Sequence, residues 1–419
     1  MSLWLHELRL FLRQPIALPT LVLMFLLSAA SVWAGMSEVA RQRETIVRIQ
    51  PQQTEDEAAI AAWVPAHGDA GDAAYYSFHP TWDAPSTLAF AALGQRDIAP
   101  YILRIRALAL EGQIHESENY NAELALPGRF DWAFVLAYLA PLFLILLLHD
   151  LFSGEREAGR HQFLTVMAQS SRGLWARRVL LRAGLLCVTL LLPFAVGALL
   201  SGSGLPALAV AGVAALYLLL WTAICIGVAR SGRRSLANAA SLAALWLFLT
   251  LVAPGLALLA INGAIPVRQG VELTLAQREA VHAGWDKPKA ATMEAFFHYH
   301  PEWRNTPPVE GGFHWKWYHA FQHLGDRSVA AQAAAYRDGL EARDRWTRRI
   351  GYILPAVGAQ VAIHRLAQTD LEAQQAYQDR IRAYHDRLRR FYYPYIFEDR
   401  PFTAEDFARA PRWPDALPS

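Results

Sequence analysis

Cysteine is scarce in this chain: Cys187 and Cys225 are the only two in 419 residues, both lie inside apolar runs, and no disulfide framework exists. Charge is scarce as well, at 18% of residues, against the roughly 25% usual in soluble domains. Thirty-nine basic and thirty-seven acidic side chains leave a net charge of only +2, which excludes a nucleic-acid footprint spread over a whole domain. Three of the basic residues are lysines, a bias that reads as base composition rather than mechanism. No Gly-Lys pair occurs anywhere, so the chain has no phosphate-cradling G-x-x-x-x-G-K-[ST] loop. No nucleophile elbow, Ser-His-Asp pattern or pair of catalytic carboxylates stands out, and enzymatic activity is not expected of this chain. The apolar runs hold no carboxylate, which argues against a proton relay of the kind ion-coupled transporters use.

What the sequence has instead is hydrocarbon. An apolar run of about twenty residues crosses a core of about 30 Å at about 1.5 Å per helical residue. Five runs meet that length: Ile16 to Gly35, Trp132 to Leu148, Ala183 to Leu200, Leu205 to Ala229 and Leu236 to Ile261. The first is longer than a signal-peptide core and is followed by further spans, so it reads as an uncleaved crossing. Pro141, Pro193 and Pro254 interrupt three runs, which membrane helices tolerate when neighbours satisfy the freed carbonyls. Arginines fill 150–182 and follow the fourth run at Arg230, Arg233 and Arg234, whereas SGSG at 201–204 has none. The positive-inside rule places the first two segments and the amino terminus in the cytoplasm. Arg41, Arg43 and Arg48 count less, because they begin a polar segment of about ninety-five residues, and long segments translocate regardless of charge.

The boundaries follow: an elbow at 1–14, a span at 15–35, an outer domain at 36–131, a span at 132–149, a cytoplasmic loop at 150–182, three spans in 183–261, and a second, helix-rich outer domain at 262–419. The elbow, with Leu5, Leu8 and Leu12 on one side, suits the interface plane or a simple extension of the first span. In the first outer domain PSTLAFAALG (85–94) predicts a short helix, and Leu103, Ile105, Ala107 and Ala109 alternate with arginines as a strand does. In the second, Thr369 and Glu372 read as a capping box for a helix carrying Tyr377, Ile381, Tyr384, Leu388 and Phe391. The fourteen-residue stretch 350–363 is short for a crossing and is expected to be buried or surface-lying, with a sixth, re-entrant or tilted crossing left open. His298, His300, His314, His319 and His323 carry two competing readings, a zinc or copper site or hydrogen-bonding neighbours in an aromatic surface.

The loop 149–178 is polar and charge-dense, yet mixes Glu155, Arg156 and Glu157 with Phe163, Leu164, Val166, Met167 and Leu174. It predicts a short amphipathic helix that either docks a partner or rests on headgroups. The order elbow, span, large outer insertion, span, GEREAG with its helix, and further spans resembles the type-2 ATP-binding-cassette exporter permeases. A closer resemblance is to a subgroup with two outer domains defined by a conserved region of unknown function. It is carried by PSTLAFAALGQRDIAP (85–100), NAELALPGRFDWAFVLAYLAPL (121–142), DLFSGEREAG (150–159) and LPAVGAQVAIHRLAQTDL (354–371). Arg160 and His161 stand where the pattern has threonine and leucine, and Ala122 stands where it has proline.

The resemblance implies a mainly α membrane protein of type-2 permease architecture with two α+β or α extracytoplasmic domains. It implies ATPase coupling through Glu155, Arg156, Glu157, Gly159, Phe163, Leu164 and Met167. No cofactor is implied in the chain itself, with ATP and magnesium held by a separate cytoplasmic ATPase subunit. The further implied partners are membrane lipid and a second permease subunit, identical or different, which would supply what a missing sixth span leaves open. The implied location is a bacterial inner membrane, and five crossings from a cytoplasmic amino terminus are expected to leave the carboxyl terminus in the periplasm. The competing class is a non-transporting receptor or scaffold whose outer domains bind an envelope partner.

Overall fold

The computed structural model describes residues 3–67, 69–116, 130–168, 170–268 and 270–413; the NAELALPGR stretch at 121–129 lies outside them. Among these residues five helices are long and apolar enough to cross a membrane: Ala17–Val64, Trp132–Glu157, Ser171–Leu200, Pro206–Ala229 and Ser235–Ala264. They are called here the first to fifth spans, and each contains one of the five apolar runs. The chain is mostly helical, and its one described sheet is a two-stranded antiparallel pair, β1 (His79–Trp82) and β2 (Ile102–Ile105). The strand expected around Leu103 and Ile105 is thus present, paired Thr81 to Leu103 and His79 to Ile105.

The first span belongs to a helix of 51 residues, Ala17–His67, about 76 Å long at 1.5 Å per residue. Its apolar half packs against the third span, with Ser28 Oγ donating to Leu190 O at 2.7 Å. Its polar half runs on as a stalk and buries Ile46 and Val64 beyond the bundle. Pro141 removes the N–H that would bond Ala137 O, and the second span answers with a π-turn at Val135–Leu139. Tyr217 Oη donates to Ala137 O at 2.7 Å and Trp246 Nε1 to Tyr138 O at 3.1 Å. Two spans therefore meet the carbonyls that hydrocarbon could not. Pro254 sits just after a second π-turn, Phe248–Val252, in the fifth span.

The two polar segments expected as separate outer domains form one body, called here the cap. Leu103, Ile105, Ala107 and Ile114 from the first share a core with Phe296, Phe321, Tyr377, Tyr384 and Trp413 from the second. Polar links run through it as well. Thr81 Oγ1 meets Tyr377 Oη at 2.9 Å, His385 Nε2 meets Leu108 O at 2.7 Å, and Trp413 Nε1 donates to Trp82 O at 3.0 Å. Asp326 accepts from Leu110 N and from Arg389 Nη2, both at 2.6 Å. Both segments thus contribute to one buried core.

Two local expectations change and a third is made specific. PSTLAFAALG forms turns rather than a helix, and buries Leu88 to Leu93 against the ends of the first and third spans. Only glycine fits there: a Cβ on Gly35 would lie 1.9 Å from Phe90 O, and one on Gly197 2.7 Å from the Phe90 ring. The helix Leu371–Phe397 is capped by Asp370, whose side chain accepts from Ala373 N at 3.2 Å; Thr369 turns back to His364 O, and Glu372 pairs with Arg348. Of the expected stripe, Tyr377, Ile381, Tyr384 and Leu388 are fully buried and Phe391 is partly so. The stretch 350–363 folds as the return arm of a helical hairpin. The long helix Trp315–Gly351 turns at Tyr352 and Ile353, and Pro355–Leu366 comes back along the fourth span and both π-turns. The arms touch where Gly358 meets Gly351, at a spacing that leaves 2.3 Å between a Cβ on Gly358 and Gly351 O.

Candidate coupling surface

At the end of the bundle away from the cap, the elbow helix Leu3–Leu12, the loop 149–170 and the start of the fifth span meet. The loop begins with one helical turn, Ser153–Glu157, and reverses at Gly159, whose φ of +70° is the left-handed region that glycine enters without strain. A second short helix, His161–Met167, follows. Ser170 then caps the third-span helix by accepting from Gly173 N at 3.1 Å. His161 stacks on Trp175, and Trp175 packs on Phe152, which anchors the loop's two ends to each other.

The acidic-basic-acidic run is engaged within the chain. Glu155 accepts from Arg178 Nη1 at 2.8 Å and from Arg160 Nε at 2.9 Å, and Arg178 reaches on to Glu7 of the elbow at 3.1 Å. Glu157 accepts from Ser235 N at 2.7 Å, and Arg156 donates to Arg233 O at 3.1 Å, both at the entry of the fifth span. Arg182 donates to Leu147 O at 2.6 Å and pairs with Asp150. Ser153 bonds Ser235 Oγ at 2.9 Å, with buried Asn238 beside it. A charge run usually signals a solvated face, but here these side chains are the rivets of the loop.

What remains outward is apolar. Phe163, Val166 and Met167 are 64%, 82% and 68% exposed, on a helix that buries no residue. Leu164 turns inward to a crevice of about 310 Å³ shared with Glu7, Leu10 and Phe11. Of the residues expected to couple, Glu155, Arg156 and Glu157 fix the loop, Gly159 turns it, and Phe163 and Met167 face out. The sequence reading missed Glu7, Arg178, Arg182 and Asn238. Glu7 on the elbow's polar side was the visible signal, but its partner lies 171 positions away.

The histidines do not converge. His300 and His323 lie 4.7 Å apart by ring centroid, His300 on Glu302 and His323 beside Arg389 Nη1 at 3.4 Å. His298 is exposed, His314 caps the long helix through Lys316 N, and His319 is wholly buried among Trp315, Tyr318 and Tyr393. Burial, reinforced by the Arg389 charge, pushes His319 and His323 each down to about 3. Among the described residues no group of three or more His, Cys, Asp or Glu side chains is placed to hold a metal ion. Their neighbours are largely aromatic, and both ring nitrogens of His319 are buried with no hydrogen-bond partner among the described residues.

Residues 271–414 match a family described as a domain of unknown function, DUF3526. No curated protein matches the chain, and no solved structure matches it.

Proposed function

We propose that this chain is the membrane-spanning subunit of an ATP-driven exporter, with hydrolysis carried out by a separate cytoplasmic ATPase that holds ATP and magnesium. The observation that carries the reading is the apolar triplet Phe163, Val166 and Met167, standing outward on a short helix whose first residue stacks on Trp175 and whose preceding turn is fixed by Glu155 to Arg178, and through it to the elbow, and by Glu157 to Ser235 N at the fifth-span entry. A helix only resting on headgroups would need no such attachment. A lever does, because force applied to it must reach the spans. Burying these three side chains against a partner is worth about 1.5–3 kcal/mol each, and coupling requires that the contact differ between nucleotide states.

In this reading the arginine-rich loop end faces the cytoplasm, the cap faces the periplasm, and the membrane is a bacterial inner membrane. Five spans enclose little, so a second permease subunit, identical or not, completes the pathway. The test is copurification with the cassette ATPase of a neighbouring reading frame. Phe163→Asp together with Val166→Asp is expected to abolish copurification while insertion is unchanged. Retention of the ATPase by that variant would sink the proposal, and a receptor or scaffold would then be the better description.

A further inference from the structure

Where the cap meets the bundle there is a cavity of about 970 Å³, at the upper end of the volumes that hold drug-sized ligands. Its two sides differ in chemistry. Leu258 and Ile261 at the end of the fifth span and Phe134 of the second span form an apolar side. Leu258 is half exposed on a span whose apolar window is otherwise little covered by protein, so the apolar side of the cavity adjoins surface that a bilayer would cover. The opposite side is rich in carboxamides: Gln360 from the hairpin arm, and Gln374, Gln375 and Gln378 from the helix Leu371–Phe397.

Most charged groups of the lining are committed to the protein, with exposed Arg268 the exception among those described. Asp131 accepts from Leu93 N and Phe134 N, Arg343 donates to Ile265 O, Asp344 pairs with Arg348, and Arg365 pairs with Asp370. The carboxamides are less committed. Gln375 is only 8% exposed, and its Nε2 has no hydrogen-bond partner. A buried, unpaired amide costs on the order of 1–3 kcal/mol, so a site that keeps one beside an open cavity is built to receive an acceptor. Carboxamides both donate and accept, which suits hydroxyls and amides rather than a bare charge.

We infer that this cavity binds an amphiphile with an uncharged, hydroxyl- or amide-bearing head group, the head among Gln360, Gln375 and Gln378 and the chain leaving over Leu258 into the membrane. Calling that amphiphile cargo rests on the export reading; its binding does not. The hairpin arm that carries Gln360 also packs on the π-turns of the second and fifth spans, so the occupied cavity sits on the helices that would have to move.

The experiment uses the full chain in nanodiscs without any ATPase, so that its outcome is independent of coupling. Three probes with identical diazirine-bearing acyl chains are compared: a monoglucosyl diacylglycerol, a phosphatidylglycerol and a phosphatidylcholine. Irradiation is expected to label peptides containing Leu258 and Gln360 about ten-fold more with the glucosyl probe, the value of one or two added hydrogen bonds. Gln375→Leu with Gln360→Leu should reduce that label to the level of the other two. The leucines leave no unpaired buried amide, so loss of folding is not the expected cause, and unchanged thermal unfolding checks it. Equal labelling by the three head groups, or full glucosyl labelling of the double variant, would overturn the inference.

Discussion

A single carbonyl shows how residues decide this membrane bundle. Ala137 O, released by Pro141, is bonded by Tyr217 Oη, while Trp246 Nε1 takes the next carbonyl. Tyr217→Phe should therefore cost about 1–2 kcal/mol and lower the thermal midpoint in detergent, with Trp246→Phe costing less because that bond is longer. In the cap, the residue-scale effect is on pH. His79 is pushed down to about 4 and His319 to about 3, each by burial first. Because their folded pKa values lie below the unfolded value of about 6.5, the unfolded chain takes up protons first as pH falls. Stability is full above about pH 6.5 and is lost progressively down to about pH 4 for His79 and about pH 3 for His319, at about 2 kcal/mol per imidazole by about pH 5. Denaturation of the whole protein at about pH 7.5 and about pH 5 measures this, and His319→Leu should make the difference smaller. Equal stability at both pH values would contradict the buried, neutral assignment.

At the scale of elements, the loop after the second span separates attached side chains from outward-facing ones, which the export reading assigns to docking. Glu155 and Glu157 tie it to the third-span arginine and the fifth-span entry, whereas Phe163, Val166 and Met167 point away. Glu155→Lys with Glu157→Lys should loosen the loop and raise tryptic cleavage between Arg160 and Arg172 by about ten-fold, as the loss of about 1.4 kcal/mol would, with insertion unchanged. Phe163→Asp with Val166→Asp should leave that cleavage as it was. If both pairs behave alike, attachment and docking are not distinct. The amphipathic helix itself was legible from the apolar spacing of Phe163, Leu164 and Met167. Which of them turned inward was not, because the period of a seven-residue helix does not say what lies on either side, and Leu164 faces in only because the elbow is there.

For the whole molecule, the shared core makes a definite demand. Residues 262–413 expressed alone lack Leu103, Ile105, Ala107 and Ile114, and so are expected to show helical signal without a cooperative unfolding transition, restored by supplying residues 36–116. A cooperative transition from the fragment alone would show that its core closes by itself. Five helices long and apolar enough to cross a membrane, the proline positions that need help, the strand around Leu103 and the stripe of Tyr377 to Leu388 were all readable in the amino-acid order, because length, hydropathy and side-chain period are local properties. Whether two polar segments make two bodies or one is settled by contacts between residues nearly three hundred positions apart, such as Thr81 with Tyr377. The same is true of the return of Pro355–Leu366 along the fourth span and of the carboxamide-lined cavity beside it. No local pattern encodes such pairings, since each partner looks the same in sequence whatever it meets. Only packing, which must bury apolar faces and satisfy every carbonyl at once, selects among them.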